Sequence, residues 1–125
     1  TEIDSLHKNN VRLRTIGDIS HLPVYCQNNL AEAIESTKNN TGLTVLLALS
    51  YSGRWEIIQA VKHLAEDVKK GALAMEEITE SNFNSYLETA GVPDPELLIR
   101  TSGELRISNF LLWQIAYTEI YITAT

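Results

Sequence analysis

One cysteine in 125 residues excludes a disulfide framework, since Cys26 has no partner within the chain, and nothing at ligand spacing accompanies it to make a zinc site. Cys26 reads as a partly buried bystander. Histidine is scarce as well: His7, His21 and His63 share no i, i+4 ligand spacing and read as surface or packing residues. No segment approaches the roughly 18 to 20 uninterrupted apolar residues that span a bilayer, and the opening TEIDSLHKNN has no apolar core of the kind a signal peptide carries. A cytoplasmic protein is expected, and the Asn39-Asn40-Thr41 sequon has no weight without secretion. Positive charge is in deficit: 10 Lys and Arg stand against 16 Asp and Glu, giving a net charge of -6 and a pI near 5.0. The basic face that nucleic acid demands is missing. Internal repeats, low-complexity tracts and linkers are lacking too, so residues 1–125 read as a single domain.

What the chain does contain alternates between strand and helix patterns. Val11 to Gly17 is a strand that stops at Gly17-Asp18, and the stretch from about Val24 to Lys38 carries Leu30, Ala31, Ala33 and Ile34 at helical spacing. Leu43 to Ser50 is almost continuously apolar, as a central parallel strand covered on both faces would be. After Ser52-Gly53, the positions Ile57, Ile58, Val61, Leu64, Ala65 and Val68 keep helical spacing up to Lys69, Lys70 and a Gly71 stop. A shorter helix is expected from about Glu80 to Ala90, ending at Gly91. Pro93 and Pro95 then force an extended entry into a strand at Leu97. A last helix over about Asn109 to Tyr117 and a strand over Glu119 to Thr123 complete the pattern, with Trp55 and Trp113 both on helices. The expected class is α/β, a mostly parallel sheet with helices on both faces. At 44% hydrophobic the chain can build a modest core.

The segment LLIRTSGELRISNFLLWQIAYTE, Leu97 to Glu119, concentrates the chemistry. Arg100 falls at the carboxyl end of the Leu97 strand, where open α/β sheets place ligands, and Arg106 follows. Ser108 precedes the apolar-periodic Phe110, Leu111, Leu112, Ile115 and Ala116, and reads as the N-cap of a helix whose first amides face the same crevice. Such amides and two planar guanidinium forks suit the oxygens of a phosphate group. Spacing alone leaves open that the arginines are surface ion-pair partners and that Ser108 only caps. Arg54 is similarly open: it can sense the same anion or pair with Glu56 or another acid. Glu104 and Glu119 would suit a divalent cation bridging to phosphate.

The string Arg100-Thr101-Ser102-Gly103-Glu104-x-Arg106-x-Ser108-Asn109-Phe110-Leu111-Leu112-Trp113-Gln114 closely resembles the signature of the cis-prenyltransferases, the undecaprenyl diphosphate synthase family. The resemblance covers nearly the whole chain. Leu6-His7-x-x-Asn10-Val11-Arg12-Leu13-Arg14-x-Ile16-Gly17-Asp18 looks like the family's middle strand. Asn40-Thr41-Gly42-Leu43-Thr44 with Tyr51-Ser52-Gly53-Arg54-Trp55-Glu56-Ile57 looks like the strand and helix after it. No D-G-N-x-R-W-like segment occurs, and that segment is the family's amino-terminal phosphate loop with its essential aspartate. The chain thus resembles the carboxy-terminal half of such an enzyme, incomplete at the amino-terminal side of the fold.

The resemblance implies successive condensation of isopentenyl diphosphate with an allylic diphosphate, farnesyl diphosphate being expected, to a long cis-polyprenyl diphosphate such as undecaprenyl diphosphate, the lipid carrier for cell-wall glycans. It implies Mg2+ as cofactor, a homodimer, no nucleic acid, and at most peripheral membrane contact through the lipid product. Arg100, Arg106 and Ser108 match the positions that hold the diphosphate of isopentenyl diphosphate, with the Ile107 amide in the same turn. Glu119 matches the family's magnesium-associated glutamate, acting in its own site or across the dimer. Ser102 departs from the pattern by standing where glycine is commoner. Without the aspartate segment no catalytic residue is carried over, and the isolated chain is expected to be inactive. The alternative is a noncatalytic partner subunit of an active cis-prenyltransferase. A phosphate-binding α/β domain of unknown ligand is the generic reading.

Overall fold

Residues 2–125 are described by the computed structural model, and they divide into two compact units between Tyr51 and Ser52. In the first unit, helix α1 (Glu2–Lys8) has Glu2 and Asp4 in its first turn and His7 and Lys8 in its last, the charge order that complements the helix dipole. The chain then forms β1 (Arg12–Ile16), a 3₁₀ turn (Ile19–His21), α2 (Val24–Thr37) and β2 (Thr44–Ala48). β1 and β2 pair in parallel from Arg12 opposite Thr44 to Ile16 opposite Ala48, with α2 as the crossover that parallel strands require. Leu13, Ile16 and Ala33 are buried between them. Thr37, also buried, joins helix to strand: its hydroxyl donates to the Ala33 carbonyl at 2.8 Å and accepts the Leu13 amide at 3.0 Å. The 3₁₀ turn is opened by Asp18, whose carboxyl is held below its ordinary value chiefly by the Ser20 hydroxyl it accepts from.

The second unit begins with the helix that the sequence defines best. In α3 (Gly53–Lys70) the Ser52 hydroxyl accepts the Trp55 amide, and Gly71 closes the other end at φ 79, donating to the Asp67 and Val68 carbonyls. A serine N-cap and a left-handed glycine are the two local signals that fix helix ends. A 3₁₀ turn (Met75–Glu77), α4 (Glu80–Asn84), β3 (Leu97–Arg100) and β4 (Glu119–Ile122) follow. β3 and β4 pair in parallel, Leu97 opposite Glu119 and Arg100 opposite Ile122. Ala60, Leu87 and Ile115 are its buried apolar residues. The Tyr86 hydroxyl donates to the Asp67 carboxylate at 2.7 Å, tying the segment after α4 to α3.

Three expectations need correction. The α/β class with parallel strand pairing is as expected, one parallel pair in each unit. β2 was expected to be covered on both faces, but its last two residues, Leu47 and Ala48, are exposed. α4 ends at Asn84 instead of reaching Ala90, because the Ser85 hydroxyl donates to the Asn82 carbonyl and the Glu88 amide is drawn away to the Glu56 carboxylate. No helix forms over Asn109 to Tyr117. Ser108, Asn109 and Leu111 have φ of 57, 62 and 47, a left-handed backbone that a right-handed helix cannot contain. Trp113 is therefore in a turn, its indole donating to Asn84 Oδ1 at 2.7 Å and its ring 4.8 Å from that of Phe83. Phe110, Leu111 and Trp113 are half-buried and Ile115 is buried. Leu112 and Tyr117 of the same segment are exposed, as are Leu97, Ile99, Ile120 and Tyr121 on the strands.

Candidate functional site

Arg100 ends β3, and the backbone beyond it is fixed by the neighbouring strand. The Arg100 carbonyl accepts the Thr123 amide at 3.0 Å, and the Gly103 amide donates to the Thr123 carbonyl at 2.8 Å. Ser102 and Gly103 turn at φ 62 and 65. Glycine adopts that region freely, whereas a residue with a Cβ is disfavoured there by about 1 kcal/mol, a physical reason for glycine to be common at the Ser102 position. The turn sends the chain back through Glu104 to Ser108. Arg100, Arg106, Ile107 and Ser108 then line one cavity of about 330 Å³, completed by the apolar Leu98, Ile99 and Phe110.

Both arginines of the cavity pair with one oxygen of Glu104, which is not among the lining residues. Glu104 Oε2 is 3.2 Å from Arg106 Nε and 3.9 Å from Arg100 Nη2. Both guanidiniums thus lie within ion-pair distance of the same oxygen. The Arg106 side chain is 80% exposed, and an exposed ion pair contributes under about 1 kcal/mol, so an incoming anion of higher charge can replace Glu104 at little cost. The helix dipole does not assist, because Ser108 is not an N-cap: its left-handed φ of 57 differs from the extended backbone of that position.

Glu119 opens β4 and lines a different cavity, of about 590 Å³, with Asp94, Glu96 and Gln114. Among the described residues no group of three or more His, Cys, Asp or Glu is placed to hold a metal ion. That includes Cys26 and the histidines.

The segment after Ser108 is anchored by contacts that the sequence did not reveal. Asn109 accepts the Gly53 amide on its carbonyl at 2.7 Å and the Arg54 amide on Oδ1 at 3.1 Å. Its Nδ2 donates to Ser52 Oγ at 2.6 Å. Arg54 itself is exposed beside Asn109 and Leu112. Glu56 is 2% exposed and accepts the Glu88 amide at 2.8 Å and Gln114 Nε2 at 2.9 Å. Gln114, 3% exposed, also donates to Thr89 Oγ1 at 3.1 Å, and its Oε1 is buried without a hydrogen-bond partner. The available signal for Glu56 was its place four residues before the buried Ala60, on the face that α3 turns inward. Asn109 gave a weaker one, as an asparagine directly ahead of the apolar run.

Comparison with known proteins now bears on these observations. A sequence model of the family described as putative undecaprenyl diphosphate synthase matches residues 1–125. An isoprenyl transferase of Clostridium perfringens is 52% identical over 120 residues, covering 96% of this chain and 47% of that protein. A ditrans,polycis-undecaprenyl-diphosphate synthase of Micrococcus luteus, described as specific for (2E,6E)-farnesyl diphosphate, is 54% identical over 119 residues, 95% of this chain and 48% of its own length. Among solved structures, lavandulyl diphosphate synthase from Lavandula x intermedia, in complex with dimethylallyl diphosphate, superimposes with a TM-score of 0.95 at 36% identity over 100% of this chain and 55% of that one. A probable undecaprenyl diphosphate synthase from Campylobacter jejuni gives 0.84 at 40% identity, covering 98% of this chain and 55% of that chain. The chain spans about half the length of the curated relatives it matches.

Proposed function

The chain belongs to the undecaprenyl diphosphate synthase family, and from that premise we propose that it supplies the isopentenyl diphosphate half of a cis-prenyltransferase site. Arg100, Arg106 and Ser108, with the Ile107 amide, hold the diphosphate. The observation that carries this reading is the convergence of both arginines on Glu104 Oε2 beside a cavity that Ser108 and Ile107 also line. A diphosphate displaces that carboxylate because it brings more charge and more acceptor oxygens to the same two forks. In the condensation the allylic C–O bond breaks, diphosphate leaves, a C–C bond forms to isopentenyl diphosphate, and that substrate loses a proton. This chain contributes by fixing isopentenyl diphosphate in line with the allylic carbon, which is where positioning lowers the barrier.

The allylic substrate is proposed to be farnesyl diphosphate, which the name of the Micrococcus luteus relative specifies, and the product undecaprenyl diphosphate. Magnesium would neutralise diphosphate charge when bound; Glu119, which lines a cavity apart from the arginines, is proposed to contact it across the dimer. The active parent is proposed to be a cytoplasmic homodimer, with the exposed Leu97, Ile99, Ile120 and Tyr121 in favour of further association. No described helix is long and apolar enough to cross a membrane. These 125 residues contain no D-G-N-x-R-W segment, and we expect them to make no polyprenyl product alone. The test supplies the chain with magnesium, isopentenyl diphosphate and radiolabelled farnesyl diphosphate, with and without the amino-terminal half of a relative. Product only in the complemented reaction supports the reading. Product from the chain alone, or none in either arm while the intact relative is active, contradicts it.

A further inference from the structure

Arg106 has little to hold it in place. Its side chain is 80% exposed and its recorded partner is Glu104, the group an incoming anion replaces. The position of the Arg106–Ser108 turn must come from the backbone, and the backbone is fastened at the next residue. A helix begins with amides that have no intrahelical acceptor, and in α3 the first three are satisfied by two residues. Ser52 Oγ accepts Trp55 N at 3.2 Å. Asn109 accepts the other two, Gly53 N on its carbonyl at 2.7 Å and Arg54 N on Oδ1 at 3.1 Å. Its remaining side-chain donor goes to Ser52 Oγ at 2.6 Å, closing a ring of hydrogen bonds around the helix start. The approach is close: a Cβ on Gly53 would lie 2.9 Å from the Asn109 carbonyl oxygen and 2.8 Å from Leu112 Cγ. Asparagine is also among the few side chains that tolerate the φ of 62 found here. The start of α3 is thus committed to the chain itself and serves as an anchor.

From this geometry we propose that Asn109 is a positioning residue for the anion cavity: it clamps the Arg106–Ser108 turn to the start of α3 and so sets where the Arg106 guanidinium meets the diphosphate. The proposal rests on the diphosphate reading above. Asn109→Gly tests it, because glycine keeps the left-handed backbone and the carbonyl acceptor while removing both side-chain bonds. Leu87→Ala serves as a control for stability, since Leu87 is buried but lies outside the residues that line the arginine cavity.

The experiment titrates inorganic diphosphate into the 125-residue chain, its Asn109→Gly, Leu87→Ala and Arg106→Ala variants, well below their unfolding temperatures. Amide exchange is followed at Arg54 and across residues 106–108. The expected result is diphosphate binding at least tenfold weaker in Asn109→Gly and within twofold of the parent in Leu87→Ala, with protection lost at the Arg54 amide. Asn109→Asp, which keeps an acceptor for Arg54, should restore that protection. Affinity within twofold in Asn109→Gly, or an equal loss in Leu87→Ala, overturns the proposal. If parent and Arg106→Ala bind diphosphate equally or not at all, the diphosphate reading fails. The exchange arm then decides on the clamp alone: unchanged protection of Arg54 and residues 106–108 in Asn109→Gly removes it.

Discussion

Replacing Glu56 with alanine should destabilise the chain by about 2–4 kcal/mol. The Glu56 carboxylate, 2% exposed, receives the Glu88 amide at 2.8 Å and Gln114 Nε2 at 2.9 Å. A hydrogen bond to a charged acceptor contributes about 1.5–3 kcal/mol, so two together give roughly 3–6. Two offsets apply. Gln114 Nε2 keeps Thr89 Oγ1 at 3.1 Å, and removing a buried carboxylate relieves part of its desolvation cost. What remains is a Glu88 amide without its acceptor and a cavity where the side chain stood. Urea unfolding followed by circular dichroism measures the loss, and a thermal midpoint lower by about 10 °C should accompany it at this chain length. Glu35→Ala is the control, because Glu35 is exposed and its ion pair with Lys38 one turn on is exposed too; it should cost under about 0.5 kcal/mol. A Glu56→Ala loss no larger than that control would refute the claim that this buried carboxylate holds the second unit together.

Two further outcomes follow from the same contacts. Gly53→Ala should cost about 1–3 kcal/mol by overpacking, since its Cβ would fall 2.8 Å from Leu112 Cγ and 2.9 Å from the Asn109 carbonyl; equal urea midpoints for variant and parent would contradict that contact. The Tyr86 phenol is raised above its ordinary value of 10, first because it donates to the Asp67 carboxylate. The neutral form is the one the fold favours, so this contribution is fully present below pH 10 and is lost as pH rises through the higher folded value. Unfolding measured from pH 8 to 11.5 should show the stability gap between parent and Tyr86→Phe closing above pH 10, and a constant gap would contradict it.

How far the sequence could be read depended on whether local or distant contacts decided each element. α3 was legible at both ends because its signals are local, Ser52 before the first turn and Gly71 after the last. β1, α2, β3 and β4 were legible from apolar spacing and from the prolines ahead of Leu97. α1 was not, since a helix of seven residues shows little apolar periodicity. The helix expected after Ser108 failed for the opposite reason. Its apolar spacing is real, and Ile115 is buried, but Asn109 bonds to residues more than fifty positions away and takes up a left-handed backbone to do so. Those bonds override periodicity that no local rule could have discounted. At the candidate site, the spacing of Arg100, Arg106 and Ser108 placed them together on one cavity, whereas the Glu104 bridge depends on the Ser102-Gly103 turn and was not visible.

Calorimetric titration of inorganic diphosphate into the chain and into Arg106→Ala tests the central claim most directly. The parent should bind, and Arg106→Ala should bind 10- to 100-fold more weakly, a loss of about 1.4–2.8 kcal/mol, because one of the two guanidiniums that converge on Glu104 Oε2 is gone. Equal affinity in parent and variant would mean that the two-arginine cavity is not a diphosphate site.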